Sequence, residues 1–323
     1  MKKTIIGGVT MFRNERNQVR SGWKIAAVTA AIVAIIIVIS LIVGIVVNIK
    51  LLASHDIDLK TLKLTEKGMR VENYMNMVLL FIQEVVMIIT PIFAWKIIMR
   101  SPLSHMGLDS FKRHIKELII GLSIGAVSIS VVFFAIVLSG NAKVESWIPH
   151  FSFDTIIYLF LFILVGFAEE IYGRGFIMST LRQTRSVPVI VIVSSIIFAL
   201  LHSGNSGIGI LPYINLTLVG LFFAYIYLKS GNIWMCIGYH ITWNYFQGNV
   251  YGFPVSGMDT KGIITTMYEK NNIINGGQFG PEGGLLVTVV ILIGFLFVNI
   301  FYQNSNYDFL ASEPDIKEEI DSE

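Results

Sequence analysis

Residues 24–48 read KIAAVTAAIVAIIIVISLIVGIVVN, an apolar run with no charged side chain after Lys24. A transmembrane α-helix needs about 20 consecutive apolar residues, so this run is long enough to cross a bilayer. The segment before it is too polar to be the apolar region of a cleavable signal peptide, and we expect the run to be retained. This stretch alone predicts an integral membrane protein.

The composition extends that prediction to the rest of the chain. Of the 323 residues, 54% are hydrophobic and 14% are charged, and the mean hydropathy is +0.68. Soluble globular chains contain about 25% charged residues. The sequence therefore predicts an all-α, polytopic transmembrane helix bundle. A net charge of +2 gives no basic field for nucleic acid. The single cysteine excludes a disulfide scaffold and a cysteine-rich zinc site.

Hydropathy predicts about eight spans separated by mostly short connections. These spans are residues 24–48, 75–98, 115–139, 154 to beyond 170, 187–203, 211–228, 233–248 and 285–302. The corresponding regions are an N-terminal cytoplasmic segment (1–23), accessory transmembrane helices (24–114), a helix core (115–248), a loop (249–284), the last transmembrane helix (285–302) and an acidic tail (303–323). The loop is rich in glycine and polar residues, which indicates a surface loop or a partly ordered lid. The last residues of the tail, 313–323, are acidic and poor in apolar side chains, and they are predicted to be solvated and disordered.

The distribution of lysine and arginine predicts the orientation in the cell membrane. Basic residues are concentrated in the N-terminal segment and in the connections between the second and third and the fourth and fifth spans. The connection between the third and fourth spans has only Lys143, and the one between the fifth and sixth has none. Because cytoplasmic loops carry the excess of basic residues, both termini are predicted to be cytoplasmic. The connection between the first two spans opposes this assignment through Lys50, Lys60, Lys63, Lys67 and Arg70.

A group of ionisable side chains interrupts the fourth span. The segment GFAEEIYGRGF contains Glu169, Glu170 and Arg174. Charges at the bilayer centre are costly, so they persist where they pair or line a polar cavity. Glu170 and Arg174 are four residues apart on one helix face and can form an ion pair, which is one sufficient explanation for both. Glu169 is rotated by about 100° and is left without a cation nearby in sequence.

Two later spans bring further polar residues into apolar surroundings. The segment SIIFALLHSG ends near His202, with Phe198 four residues earlier on the same face. The segment GYHITWNYF places His240 and Asn244 four residues apart. Taken singly, each is explained as a structural polar residue. A helical hairpin through the turn between the fourth and fifth spans, however, places Glu169 and His202 at matching depth.

The combination of these side chains suits hydrolysis. A glutamate in an apolar cavity can act as a general base near neutral pH. Histidine can orient water, shuttle protons or bind a metal, and asparagine can donate to a developing oxyanion. No serine lies in a GxSxG turn, no HExxH segment is present, and Cys236 has no activating neighbours. The pattern therefore favours attack of water on a carbonyl over a covalent serine or cysteine mechanism.

In this arrangement the chain resembles the CPBP family of intramembrane proteases, also called the CAAX-protease and bacteriocin-processing or Abi family. The type II CAAX prenyl endopeptidase is a eukaryotic member. The family pattern is EExxxR, then FxxxH, then HxxxN on successive helices. Here the three elements are residues 169–174, 198–202 and 240–244, in that order and each in an apolar span. The resemblance covers residues 115–248.

The resemblance implies a membrane-embedded endopeptidase and a role for each matching position. Glu169 activates the water, and His202 assists or positions it. His240 and Asn244 stabilise the oxyanion or complete the site. Glu170 and Arg174, the other two matching residues of the first element, support Glu169.

The resemblance also implies options for a cofactor. The family is usually labelled as metalloproteases, so a divalent metal such as zinc, bound by Glu169, His202 and His240, is one expectation. The same residues can activate water without a metal.

The expected partners are membrane lipid and a hydrophobic or membrane-anchored peptide substrate. Bacterial relatives are linked to peptide or bacteriocin processing, self-immunity and envelope regulation. The rival interpretation is a non-enzymatic membrane scaffold or immunity protein that uses the same fold to bind a membrane protein partner. A proton-carrying transporter fits less well, because the sequence shows no internal repeat.

Overall fold

The computed structural model describes residues 11–14, 17–58, 61, 63–268 and 270–311. The chain divides into two compact units, Met1–Ala94 and Trp95–Glu323. The predicted N-terminal segment is therefore described only in part. The acidic end of the predicted tail, residues 312–323, lies outside the described residues.

The first unit contains two long helices, α1 (Ser21–Ala53) and α2 (Glu66–Ala94). A short antiparallel hairpin joins them, formed by β1 (Ile57–Asp58) and β2 (Lys63–Leu64). The helix α2 begins nine residues before the apolar span predicted from residue 75. Its first turns contain Glu66, Lys67 and Arg70, which lower the hydropathy but are good helix formers.

The described part of the second unit contains six further α-helices of twelve or more residues. They are α3 (Ile115–Leu138), α4 (Phe153–Glu170), α5 (Val187–Leu201), α6 (Ile210–Ser230), α7 (Trp234–Tyr245) and α8 (Leu285–Phe301). Two short strands, β3 (Lys143–Ser146) and β4 (Thr265–Met267), pair antiparallel. This pairing ties the connection after α3 to the loop before α8.

In the described ranges, eight helices occupy the positions of the eight predicted apolar segments, which confirms the all-α bundle. Five helical stretches are long and apolar enough to cross a membrane. They are Ser21–Ala53, Glu66–Met99, Ile115–Leu138, Phe153–Thr184 and Ile210–Ser230. The helices α5 and α8 are apolar but shorter. The protein is thus a multi-pass membrane protein.

Two helices of the second unit change to a wider π-helical turn beside the predicted site residues. The helix α4 ends at the carboxylate pair and continues as the π-helix Ile171–Met178. The helix α7 continues as the π-helix Phe246–Val250 just after Asn244. π-Helical turns are rare and often occur at functional sites. Here they change the direction of the side chains that follow.

Close backbone contact between α3 and α7 fixes the position of α7. A β-carbon added at Gly121 would lie 2.2 Å from the carbonyl oxygen of Met235, and one at Gly238 would lie 2.5 Å from that of Leu118. Only hydrogen fits at these positions, as is typical of helix pairs that cross at small residues in membranes. Because His240 follows two residues after Gly238, this contact also fixes its depth in the bundle.

The loop of residues 249–284 is a packed part of the second unit. Phe253, Asn275 and Phe279 are buried, and Phe253 contacts Phe133 of α3 with ring centroids 5.6 Å apart. The described part of this segment is therefore packed against α3.

Candidate active site

The three sequence elements meet at the side chain of Glu169. Its Oε2 atom lies 3.8 Å from Nε2 of His202 and 4.0 Å from Nε2 of His240. This oxygen is buried and has no hydrogen-bond partner in the described part of the chain. Glu169, which lacks a cation nearby in sequence, therefore faces His202 at the end of α5 and His240 in α7.

Glu170 joins two other residues of the predicted site. Its Oε1 accepts a hydrogen bond from Nη1 of Arg174 at 3.2 Å and lies 3.0 Å from Nδ1 of His240. Glu170 and Arg174 are almost fully buried. Glu170 thus holds His240 in place as well as forming the ion pair expected within its helix.

The buried charge of Arg174 is satisfied on several sides. Its guanidinium group lies over the rings of Phe198 and Phe223, 4.4 and 5.0 Å from their centroids. Its Nη2 donates to the carbonyl oxygen of Gly220 at 3.4 Å. Cation–π contacts of this kind stabilise a desolvated guanidinium. Phe198 also contacts His202, with ring centroids 5.2 Å apart, so one ring supports both a charge and an imidazole.

The hydrogen bonds made by Nδ1 of the two histidines determine whether Nε2 of each ring donates or accepts a hydrogen bond. Nδ1 of His202 lies 2.9 Å from the carbonyl oxygen of Phe198, which can only accept, so this nitrogen carries the proton. Nδ1 of His240 faces the carboxylate of Glu170 in the same way. In the neutral imidazoles both Nε2 atoms are therefore acceptors that face Glu169. Oε2 of Glu169 and the two Nε2 atoms are thus three acceptors around one point, which requires a hydrogen-bond donor. A water molecule can supply two protons.

The donor types at this point are ones that zinc accepts, but their spacing is wider than a zinc site requires. Two ligands about 2.1 Å from a tetrahedral zinc are about 3.4 Å apart. The carboxylate of Glu169 is 3.8 and 4.0 Å from the two imidazole nitrogens. Within the described ranges, no group of three His, Cys, Asp or Glu side chains is arranged to hold a metal.

A small cavity lies on the other side of the histidines. His202, His240 and Asn244 line it together with apolar side chains of α5, α6 and α8. Its volume is about 40 Å³, enough for roughly three water molecules at about 15 Å³ each. Asn244 is only 4% exposed, and its amide has no hydrogen-bond partner in the residues that the structure describes. The cavity therefore contains an unused hydrogen-bond donor.

Three polar residues of this cavity were not predicted from the sequence: Asn215, Ser256 and Glu282. Asn215 lies in α6, and the other two lie in the packed loop. None belongs to a recognisable spacing pattern. Only the GPEGG segment around Glu282, directly before an apolar helix, is unusual in the sequence. Their assembly depends on long-range packing that local patterns do not contain.

Comparison with known proteins gives one family. Residues 150–246 match the family model described as type II CAAX prenyl endopeptidase Rce1-like. No curated protein and no solved structure matches the chain. The matched segment contains α4 to α7 and hence all three sequence elements of the site. The match implies protease activity of the CAAX type within the membrane. Through these helices, the chain is related to the CAAX/CPBP family of proteases.

Proposed function

We propose that this protein is an intramembrane endopeptidase that hydrolyses a hydrophobic or membrane-associated peptide with a water activated by Glu169 and His202. The observation that carries the proposal is the buried Oε2 of Glu169, within 4.0 Å of both imidazole Nε2 atoms. Glu170 also has one buried oxygen without a partner among the described residues, but its other oxygen contacts Arg174 and His240, as expected for a structural carboxylate, because an unpaired buried charge is costly. A water held between Glu169 and the two histidines can donate to two of the three acceptors, Oε2 of Glu169 and Nε2 of one histidine.

The reaction that suits this geometry begins with transfer of a water proton to Glu169. The water oxygen attacks the carbonyl carbon of the scissile bond, and a tetrahedral oxyanion forms. The proton on Glu169 then passes to the leaving nitrogen as the C–N bond breaks, which restores the carboxylate. His202 accepts a hydrogen bond from the water through Nε2 and orients it, because the bond to the carbonyl of Phe198 fixes its proton on Nδ1.

Asn244 and His240 provide stabilisation of the oxyanion in this proposal. The amide of Asn244 lines the cavity without a partner and can donate to an oxygen there. His240 can donate through Nε2 only when it is protonated, and Glu170 is placed to balance that charge. A preorganised donor of this kind contributes about 10²–10³ in rate in other hydrolases.

The substrate class follows from the surroundings of the site. A multi-pass bundle with an apolar cavity favours peptides that are themselves hydrophobic or anchored in lipid. Processing of a short peptide, such as a bacteriocin or a membrane-anchored leader, fits this class, as do self-immunity and envelope regulation. A scaffold or immunity protein that binds a membrane partner would use the fold without needing the carboxylate of Glu169.

The test is a comparison of the wild type with Glu169→Gln and with Glu145→Gln as a matched control. Glu145 is an exposed glutamate of β3 outside the site. New peptide N-termini in membranes of expressing cells identify a cleaved peptide, and cleavage is then measured with purified protein. Loss of the general base should reduce kcat by about 10²–10⁴-fold, whereas the control should retain activity.

Continued cleavage by Glu169→Gln would contradict the proposal. A biological effect that persists in this variant without cleavage would favour the scaffold interpretation. The assay is repeated after chelation, and the purified protein is analysed for metal. These measurements distinguish activation of water by a bound metal from activation by the side chains alone. Retained activity without stoichiometric metal is the expected result.

A further inference from the structure

Glu282 reaches the cavity of the candidate site from outside the matched segment. It lies in the loop between α7 and α8, 36 residues beyond the last matched position. It lines the same cavity as His202, His240 and Asn244. The three sequence elements do not include it. Its position therefore adds a feature of this chain to a site otherwise formed by the family elements.

The backbone that carries Glu282 is held firmly by α6. Nδ2 of Asn215 donates to the carbonyl oxygens of Glu282 and Gly284, at 2.7 and 2.9 Å. Thr288 in turn donates to Oδ1 of Asn215 at 2.6 Å. Asn215 is buried, and its amide holds this short segment in place. Such anchoring is typical of a preorganised binding group.

The carboxylate of Glu282 is only half satisfied by the protein. Its Oε2 accepts hydrogen bonds from the backbone nitrogen of Ser256 at 2.6 Å and from its hydroxyl at 2.8 Å. No donor from the described residues reaches Oε1, and no lysine or arginine among them forms an ion pair with this side chain. Burial raises the pKa of Glu282, and hydrogen bonds from Ser256 oppose that effect.

Among the described residues that line the cavity, Glu282 is the acidic side chain, and no lysine or arginine lines the cavity with it. Arg174 does not offset its charge, because it pairs with Glu170 away from the cavity lining. The titratable groups that face Glu282 are His202 and His240. A desolvated negative site of this kind attracts a cation and repels an anion. Asn244, buried and without a partner, is an independent sign that a ligand completes the cavity.

We propose that Glu282 binds a basic side chain, lysine or arginine, beside the scissile bond of the substrate. This inference rests on the proposed endopeptidase function and specifies its substrate class. An ammonium group and its adjoining methylene fit a cavity of about 40 Å³, while the rest of the peptide lies outside.

The test uses hydrophobic peptides of about 20 residues, long enough to enter a bilayer. One lysine is moved through the central positions, and matched series carry norleucine or glutamate instead. The wild type should prefer the best lysine peptide over its norleucine match by about tenfold or more in kcat/KM, as expected for a close charge pair. Glu282→Gln, which can still accept from Ser256, should abolish that preference. Glu282→Lys should shift it towards the glutamate peptide.

Two control variants distinguish the effect of the charge of Glu282 from the effects of a distant charge and of a hydrogen bond to Glu282. Glu145→Gln removes a distant charge and should keep the lysine preference. Ser256→Ala removes one hydrogen bond to Glu282 but not its charge, so it should also keep the preference. An unchanged lysine preference in Glu282→Gln would overturn the inference, and so would a wild type that cleaves all three series equally.

Binding to the inactive Glu169→Gln variant makes this inference independent of turnover. Fluorescence anisotropy should show tighter binding of the lysine peptide than of the norleucine peptide, and Glu169→Gln/Glu282→Gln should lose the difference. Such binding without any cleavage by the wild type would reject the proposed function but retain Glu282 as a cation site. Cleavage without Glu282-dependent discrimination would reject the cation site alone.

Discussion

At the scale of single residues, Glu170 both forms a buried ion pair and holds a side chain of the candidate site. Its Oε1 contacts both Arg174 and His240. Removing one partner of a buried pair is strongly destabilising, because the other charge is then left uncompensated. Replacing both partners removes that penalty. Glu170, which the sequence could explain as half of a structural pair, therefore also holds the imidazole of His240 in the candidate site.

This coupling predicts different outcomes for stability and activity. Arg174→Met should destabilise the protein by about 3–5 kcal/mol, because Glu170 keeps a buried charge without its cation. The double variant Glu170→Gln/Arg174→Met should recover part of that loss but remain poorly active, since His240 loses its charged partner. Unfolding can be followed with a thiol-reactive dye, because the single cysteine, Cys236, is fully buried. Additive losses in the double variant would show that the pair is not coupled.

At the scale of elements, the crossing of α3 and α7 predicts a strong effect from one added methyl group. Gly238→Ala would place a β-carbon 2.5 Å from the carbonyl oxygen of Leu118, so the helices must separate. His240 would move with α7, and its Nε2 would no longer lie 4.0 Å from Oε2 of Glu169. We expect a lower midpoint of unfolding and reduced kcat.

The matched control for that substitution is Gly44→Ala in α1. An added β-carbon there has no neighbour within 4 Å, and alanine is the better helix former by about 1 kcal/mol. This variant should be as stable and as active as the wild type, in the same dye and cleavage assays. Equal behaviour of the two variants would mean that the α3–α7 crossing tolerates expansion.

Much of the arrangement of elements could be predicted from the sequence. Long apolar runs identify helices because hydropathy measures what a bilayer requires, and the spacing of Glu170 and Arg174 correctly indicated their contact. Hydropathy could not detect the polar start of α2 at Glu66. It also could not predict the packing of the loop or the approach of Glu282, because these depend on contacts between distant segments.

At the scale of the whole molecule, the orientation in the membrane decides which side meets the substrate. In the second unit, β3 pairs with β4 of the loop that carries Ser256 and Glu282. These parts therefore lie on one face. The distribution of basic residues predicts that this face is outside the cell, and that the connection before α3 is in the cytoplasm.

Labelling of single introduced cysteines tests this orientation. The wild type provides a low background, because Cys236 is buried and its thiol contacts the carbonyl oxygen of Phe223. Glu145→Cys in β3 should react with a membrane-impermeant maleimide on intact cells. Lys112→Cys, exposed before α3, should react only after the membrane is permeabilised. The opposite pattern would invert the topology and place the loop over the cavity in the cytoplasm. Peptide substrates made inside the cell would then reach Glu282 without first crossing the membrane.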